Sequence, residues 1–237
     1  MSKQTDLNNI PDAITVDGNT TYVDSNGQDA GYNPLQIGNT SNSNTIVQIL
    51  SANNGIGTIH FGDAASGSGR YIGFMNYDHT IDQFQIGTND SSRFKIDASG
   101  RVTTPNQPMF SAHGGAEQTS DAREVLQFTS ANSNVGNHFS TSTYTFTAPV
   151  SGHYHFSFNL MAYAAENSRC QFAKNGSLIA DQFYTEADGY AEYPRNSGSI
   201  IVQLSTNDTL RVDRNVQNSA SERCHQNYRS FTGYLLG

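Results

Sequence analysis

The stretch FTAPVSGHYHFSFNLMAY, from Phe146 to Tyr163, decides the fold of this chain. From Tyr154 onward every second residue is apolar or aromatic, and the residues between them are polar or amphipathic. Side chains that alternate in this way lie on opposite faces of a strand that has one buried face. Pro149 and Gly152 come just before the alternation, and both favour a turn over continued strand pairing. The stretch therefore predicts a core strand that begins abruptly after a turn.

Composition places the whole chain among all-β proteins with many tight turns. The 237 residues include 35% hydrophobic and 14% charged residues, and Asn, Ser, Thr and Gly dominate the remainder. These are the residues of turns and exposed strands. The formal net charge of -8 argues against a nucleic-acid partner, because phosphate binding needs clustered Lys and Arg. No stretch is apolar over the roughly 18 residues that a membrane span requires, so no membrane insertion is expected.

The first residues and the two cysteines bear on the cellular compartment. Residues 1–18 lack a basic segment followed by an apolar run, which predicts synthesis in a cytosol without a signal peptide. Residues 1–35 are polar and rich in turn signals, so we expect short hairpins or partial flexibility there. Cys170 and Cys224 are too few for a disulfide scaffold. Two free thiols are expected in a reducing compartment, although the pair could also face each other across a sandwich.

Three motifs resemble the globular head of the complement C1q family and, more distantly, tumour necrosis factor. They are F-x-x-P-x-x-G-x-Y-x-F from Phe146 to Phe156, L-x-x-x-D-x-L-x-V from Leu204 to Val212, and F-x-G-x-L-L from Phe231 to Leu236. They occur in the order seen in the family and cover roughly residues 108–237. The resemblance implies a C1q/TNF-like jelly-roll β-sandwich that assembles as a trimer and binds ligands non-covalently.

Between Leu35 and about Thr104, short apolar pieces recur about every 8 to 12 residues, separated by Gly, Asn, Asp and Ser. In RFKID, residues 93–97, the apolar pair faces one side of a strand and the charges face the other. Such strands contain too few apolar side chains to form a hydrophobic core within one chain. They therefore predict a core shared with copies of the same chain around an axis.

The same region resembles the repeats of trimeric bacteriophage tail fibres. Arg70 to His79 reads RYIGFMNYDH, and Arg93 to Val102 reads RFKIDASGRV. These segments are similar to the fibre blocks Y-I-G-x-x-x-Y-D-H and R-x-x-I-D-x-x-G-x-V. The resemblance implies a trimeric β-prism-like shaft, a location in the virion, and tail or baseplate proteins as partners of the N-terminus. The self-cleaving chaperone domain of such fibres is not expected, because this chain ends in a C1q-like head.

Together these features predict an all-β chain in four segments. They are a virion-attachment segment at 1–35, an intertwined trimeric β shaft at 36–104, a linker containing two prolines at 105–108, and a jelly-roll receptor-binding head at 109–237. We expect a homotrimeric phage tail fibre, made in the host cytoplasm, that binds host surface polysaccharide or protein reversibly. The alternatives are a glycan depolymerase of a virion, a secreted C1q-like binding protein, and a purely structural fibre connector.

Polar segments that carry tyrosines, between the head strands, predict the ligand site. In Phe183 to Pro194 and in Val216 to Tyr228, aromatic rings can stack on sugar faces while Asn, Gln and Arg make directional hydrogen bonds. The alternative is that these segments are ordinary exposed loops. The candidate ligand-binding residues are Tyr184, Tyr190, Tyr193, Arg223, His225 and Tyr228.

A second set of residues is expected at the trimer interface. His153 and His155 lie two apart, on the face of their strand that points away from the core. The resemblance to the C1q family places Tyr234 and Leu236 on the face of subunit contact. Three copies of the histidines could ring a metal ion or an anion, or form a hydrogen-bonded interface. A structural metal at the axis or in the head loops is left open, and no other cofactor is expected.

No catalytic residues are expected. Asp78 and His79 lie in a block that is structural in the fibre repeats. Glu186, Asp188 and Glu192 form an acidic loop, for which solvated charges are expected ahead of calcium or sugar binding. A glycosidase needs two carboxylates at a defined separation across a cleft, and proximity within one loop does not establish that.

Overall fold

Strands, most of them with alternating apolar residues, make up the part of the chain that the structure describes. The computed structural model describes residues 47–119, 123–163, 167–186, 193–214 and 223–237. The predicted core strand is β11 (Gly152–Ala162), in which Tyr154 and Phe156 are buried and His153 is exposed. Apart from a 3₁₀ helix at Gly67–Tyr71, strands are the only regular elements of these residues, and none of their helices could cross a membrane. The predicted all-β class is confirmed.

Five short strands form an antiparallel sheet, here called the N-terminal sheet. Each strand pairs with the next along the chain, in the order β1-β2-β3-β4-β5. The tight β3–β4 connection is made by Asn89 and Asp90, which both have a φ of 51°, as a two-residue hairpin of matching twist requires. The strands are β1 (Ile56–Phe61), β2 (Gly73–Asp78), β3 (Gln83–Thr88), β4 (Ser91–Ile96) and β5 (Val102–Thr103).

Two further sheets form the β-sandwich of the head. The first, the β11 sheet, has the strand order β14-β11-β16-β6-β8. The second, the β12 sheet, has the order β13-β12-β15-β10-β9, with β7 also paired to β15. The remaining strands are β6 (Met109–His113), β7 (Glu124–Val125), β8 (Ser130–Val135), β9 (Phe139–Ser140), β10 (Thr145–Thr147), β12 (Ser168–Lys174), β13 (Ser177–Thr185), β14 (Arg195–Leu204), β15 (Thr209–Arg214) and β16 (Cys224–Leu235).

Phenylalanine rings fill the space between the two sheets. The Phe110 ring centroid lies 4.6 Å from that of Phe139 and 4.9 Å from that of Phe231. Phe158 of β11 contacts Phe172 of β12 at 5.4 Å, so the core joins both sheets. Each buried ring contributes on the order of 1.5–3 kcal/mol through removal of apolar surface from water. The predicted sandwich of the head is confirmed.

Both cysteines lie inside this core as free thiols. Cys170 belongs to β12 and Cys224 to β16, so they come from opposite sheets. Burial, and then the neighbouring Cys224, raise the pKa of the Cys170 thiol well above its usual value. The thiol is therefore a poor nucleophile, because the thiolate is the reactive form.

The predicted linker ends on the head. The side chain of Gln107 donates a hydrogen bond to the Leu235 carbonyl at 3.0 Å, and the Leu235 amide donates to the Pro108 carbonyl at 3.0 Å. Pro108 is buried. The boundaries predicted at 35, 104 and 108 stay predictions, and the segment 1–35 lies outside the described residues.

Candidate functional site

Three neighbouring strands of the β11 sheet meet at one end, where β11 stops and β14 and β16 begin. The amide of Ala162 donates to the Pro194 carbonyl at 2.8 Å. The amide of Tyr163 donates to the Arg223 carbonyl at 3.2 Å. These backbone bonds hold together residues that lie far apart in the sequence. Side chains at this end of the sheet therefore form one surface.

An aromatic cluster covers this surface. It consists of Tyr163, Tyr193, His225 and Tyr228. The His225 ring stacks on Tyr163 with centroids 4.6 Å apart, and it meets Tyr193 at 5.7 Å and Tyr228 at 4.8 Å edge to face. Tyr228 is 59% exposed and Tyr193 is 47% exposed. The cluster thus presents ring surface to solvent on a support of three strands.

Charged groups border the aromatic cluster. The Arg223 guanidinium lies 4.7 Å from the centroid of the Tyr163 ring, which suits a cation–π contact. Arg223 also pairs with Glu117 at 3.3 Å. Desolvation, and then a hydrogen bond to Glu117 and its negative charge, raise the pKa of Tyr163 above its ordinary value. Tyr163 therefore stays a neutral phenol at physiological pH.

A groove of about 620 Å³ adjoins the cluster and shares Tyr228 with it. The Asn159 side chain spans part of its floor and donates to the Ser230 hydroxyl at 2.6 Å. Its wall includes Arg229, whose guanidinium turns inward to Gln118 at 2.5 Å. The lining residues are Asn159, Leu160, Met161, Arg195, Asn196, Ser197, Asn227, Tyr228, Arg229 and Ser230. Amides and hydroxyls share the lining with apolar surface, so the groove suits a ligand that has both hydroxyl groups and apolar faces.

The structure brings four of the predicted ligand-binding residues together and places Tyr184 elsewhere. Tyr193, Arg223, His225 and Tyr228 meet at the end of the β11 sheet. Tyr184 lies instead on β13 of the β12 sheet, where the Arg169 guanidinium sits 4.2 Å from its ring centroid. Tyr190 lies outside the described residues.

Sequence reasoning missed two residues of this surface. Tyr163 directly follows the core strand, and its position at a strand end was the signal that could have placed it beside other strand ends. Glu117 carries no such signal, because an isolated bridge between Gln118 and Cys224 brings it to the cluster. Its neighbours in space come from a distant part of the chain.

The residues predicted for the trimer interface lie on the outer face of the β11 sheet. His155 is directly opposite Tyr234 across the β11–β16 pair, with ring centroids 5.2 Å apart. His153 and Leu236 are also exposed there, joined through the Leu236 amide, which donates to the His153 carbonyl at 2.8 Å. Ile201, which is opposite His155 on β14, adds an exposed apolar side chain. The part of this outer face that carries His153, His155, Ile201, Tyr234, Leu236 and Met109 is called the trimer face below.

Of the acidic candidates, Asp78 has structural contacts, Glu186 is exposed, and the others lie outside the described residues. Asp78 accepts hydrogen bonds from the Thr80 amide at 2.9 Å and the Thr80 hydroxyl at 2.5 Å, which closes a turn. Asp188 and Glu192 are not among the described residues. Within the described ranges of one chain, no three His, Cys, Asp or Glu side chains gather as metal ligands.

Comparison with known proteins identifies the head. The model of the C1q domain family matches residues 109–236. Complement C1q tumor necrosis factor-related protein 3 of mouse and that of human are each 29% identical over 122 residues, covering 51% of this chain and 48% of theirs. The globular domain of zebrafish complement 1qA has 17% identity and a TM-score of 0.47, over 55% of this chain and 98% of its own. This chain thus spans about half the length of the curated relatives it matches.

These matches correct one expectation and leave another without support. The predicted location in a virion is wrong, because the curated relatives are mouse and human proteins and not phage components. The tail-fibre identity, with its baseplate partners, receives no support from the matches described above. The C1q-like resemblance of the head is the part that the matches confirm.

Proposed function

The chain belongs to the C1q domain family through residues 109–236, and from that membership we propose that it is a homotrimeric protein that binds ligands without catalysis. C1q/TNF-like domains are binding and signalling domains, and they form homotrimers. Of the functions considered from sequence, the secreted C1q-like binding protein agrees best with the relatives. We take that function as the working proposal.

The trimer face supports self-association. Tyr234, Ile201, Met109 and Leu236 are exposed apolar or aromatic side chains on this face. Contiguous exposed apolar residues on a soluble protein mark an interaction surface. We propose that three copies meet through this face, with His153 and His155 among the contacts.

The aromatic cluster beside the polar groove carries the proposal of a ligand site. Exposed rings offer flat apolar surface, and the adjoining amides and hydroxyls offer hydrogen bonds in fixed directions. A groove of about 620 Å³ has the size of a small-molecule site. The ligand class that fits both parts is a glycan, whose sugar rings have apolar faces and hydroxyl edges. The binding residues would be Tyr163, Tyr193, Arg223, His225 and Tyr228, with Asn159 and Arg195 in the groove.

Three copies of this site would act together. Sites held on one rigid trimer gain about 10² to 10⁴ in avidity when the target lets them bind at once. A weak single site therefore suffices for firm attachment to a repetitive surface. Neither a depolymerase nor a purely structural connector is favoured by a specific feature of the described residues.

The test is glycan binding by the full chain and by two tyrosine variants. Binding of neutral and acidic oligosaccharides on an array is measured first for the wild-type protein, and the best binder is then titrated by calorimetry. Tyr228→Ala removes a ring that touches both the cluster and the groove, so we expect affinity to fall by about twofold to tenfold.

Tyr184→Ala is the matched control, because Tyr184 is also an exposed tyrosine but lies on the other sheet. Its affinity should equal that of the wild type. An equal loss of glycan affinity in Tyr228→Ala and Tyr184→Ala would contradict the assignment of the site. A wild-type trimer that binds no glycan on the array would overturn the proposed ligand class.

A further inference from the structure

The N-terminal sheet has one apolar face and one polar face. Pairing places Ile59, Met75, Ile86 and Phe94 side by side in one row. A second row, parallel to the first, contains Tyr77, Phe84, Ile96 and Val102. These two rows, with Phe61 at one end, are called the apolar face. Because apolar and polar residues alternate along each strand, one face of this sheet has the composition of a buried face.

The opposite face of the N-terminal sheet is mainly polar. Its central row contains Thr58, Asn76, Gln85, Lys95 and Thr103. Phe74 and Ile56 are the exceptions. The Phe74 ring lies over Gly87, where an added Cβ would come within 2.2 Å of it, and Ile56 is 53% exposed at the start of β1. The sheet thus covers this one ring itself. Continuous apolar rows are therefore present only on the apolar face, and the two apolar side chains of the opposite face are isolated.

The described residues of one chain leave the apolar face partly exposed. Among residues 47–104 the only buried position is Gly87, and Phe61 and Val102 of the apolar face are 57% and 55% exposed. Four strands of six residues and one of two give this face an area on the order of 400 Å². Soluble monomers rarely leave an apolar patch of this size exposed without a function.

A groove lies within the apolar face. It has a volume of about 550 Å³, and Tyr77, Phe84 and Ile96 form its apolar floor. Acidic side chains stand only at its rim, where Asp82 accepts from the Tyr77 hydroxyl at 3.2 Å and Asp97 pairs with Arg101 at 2.7 Å. No charged side chain lies within the two rows, so identical faces can meet without repulsion between like charges.

The short segment that joins β5 to the head places the N-terminal sheets of associated copies close to one another. β5 ends at Thr103, and Pro108 is already bound to Leu235 of the head. The stretch between them spans at most about 18 Å. Leu235 stands between Tyr234 and Leu236 of the trimer face, so the connection leaves the head beside the surface at which the copies are proposed to meet.

We propose that the apolar faces of three copies of this chain turn towards a common axis and enclose one shared core, each chain forming one wall. This inference rests on the proposed trimer of heads, which would bring three N-terminal sheets together. A threefold arrangement is closed, and it buries the same face of every copy. The polar row with Gln85 and Lys95 then remains in water. Intertwining of strands is not required, because each wall is a complete meander of one chain.

The experiment places a cysteine at the centre of each face of the full chain. Ile86→Cys lies in the apolar face, and Gln85→Cys is its matched control, one residue away on the polar face. The two native cysteines are buried and do not compete. Mild oxidation, or a short bis-maleimide, is followed by denaturing electrophoresis. Cysteine accessibility to a maleimide dye and sedimentation equilibrium are measured on the same samples.

We expect linked dimers from Ile86→Cys and none from Gln85→Cys. Three cysteines around one axis can form one bridge per trimer, so the dimer should not exceed two thirds of the chains. A trimer in which Ile86→Cys labels rapidly and does not cross-link would overturn the inference while leaving the trimer of heads intact. Monomers in sedimentation would instead overturn the proposed function. Slow labelling that becomes fast after removal of residues 1–46 would assign the cover to that segment and also overturn the inference.

Discussion

The carboxylate of Asp208 connects two turns of the folded head. Its carboxylate accepts from the Asn175 side chain at 2.7 Å and the Ser205 amide at 2.8 Å, and it pairs with Lys174 at 2.9 Å. The Asn175 hydrogen bond first, and then those of Lys174 and Ser205, lower the pKa of Asp208 from 3.8 to about 2. One side chain thereby ties the β12–β13 turn to the β14–β15 turn.

This coupling predicts a pH dependence of stability. A folded-state pKa below the unfolded value means that the ionised carboxylate stabilises the folded state above the unfolded pKa of 3.8, and that this contribution is lost as the pH falls towards about 2. Asp208→Asn keeps the shape and removes the charge. We expect it to lower the free energy of unfolding in urea at pH 7 and to differ little from the wild type near pH 2.

The control for this experiment is Asp90→Asn. Asp90 is an exposed aspartate in the turn of the N-terminal sheet. Its effect on unfolding of the head should be small at both pH values. If the difference in the free energy of unfolding between the wild type and Asp208→Asn stays constant from pH 7 to pH 2, ionisation of Asp208 does not contribute to stability.

At the scale of elements, a glycine sets how closely two strands of the β11 sheet pack their side chains. Gly233 of β16 is opposite Phe156 of β11, and an added Cβ would lie 2.4 Å from the Phe156 ring and 2.6 Å from Phe110. Both rings belong to the buried core. The aromatic core of the head therefore depends on the missing side chain at this strand position.

Gly233→Ala should destabilise the head although alanine is otherwise the better strand residue. Overpacking of a well-filled core costs about 1–3 kcal/mol, measured as a loss in the free energy of unfolding. Phe156→Leu in the same background makes room for the new methyl group. The double variant should then be more stable than the sum of the two single losses. Additive losses would mean that the two sites do not interact.

At the scale of the whole molecule, the trimer face predicts concentration-dependent assembly. Tyr234→Arg would place three guanidinium groups near one axis and bury each of them without a partner, which is costly. Sedimentation equilibrium over a concentration series should give a trimer for the wild type and a shift towards monomer for the variant.

Thr147→Arg adds the same charge on β10 of the other sheet, where Thr147 is exposed, and should leave the trimer unchanged. If Tyr234→Arg associates as strongly as the wild type, the heads do not meet through this face. If both variants dissociate, net charge and not the position of the substitution is the cause.

Much of the fold could be predicted because its signals are local. The alternation after Gly152 identified β11, and Asn175-Gly176 adopts positive φ values of 51° and 80° in the β12–β13 hairpin. β8 (Ser130–Val135) escaped prediction because its sequence, SANSNV, contains little apolar alternation. It is held by pairing with β6 and not by its own pattern.

The candidate site was only half predictable from the sequence. Tyr193 and Tyr228 lie in segments whose composition indicated binding, and they do converge. Tyr184 had the same composition around it but lies on the other sheet. Composition identifies which residues are suited to contact a ligand, and strand order decides which of them share a surface.

The sequence by itself determined the all-β class, the core face of β11 and the one-sided pattern of the N-terminal strands, because a period of two residues is a property of neighbours along the chain. Only the tertiary structure decided that Tyr163, His225 and Glu117 meet, and that one apolar face runs unbroken across five strands. Those facts depend on register between segments far apart in sequence, since a shift of one residue would turn every side chain to the opposite face.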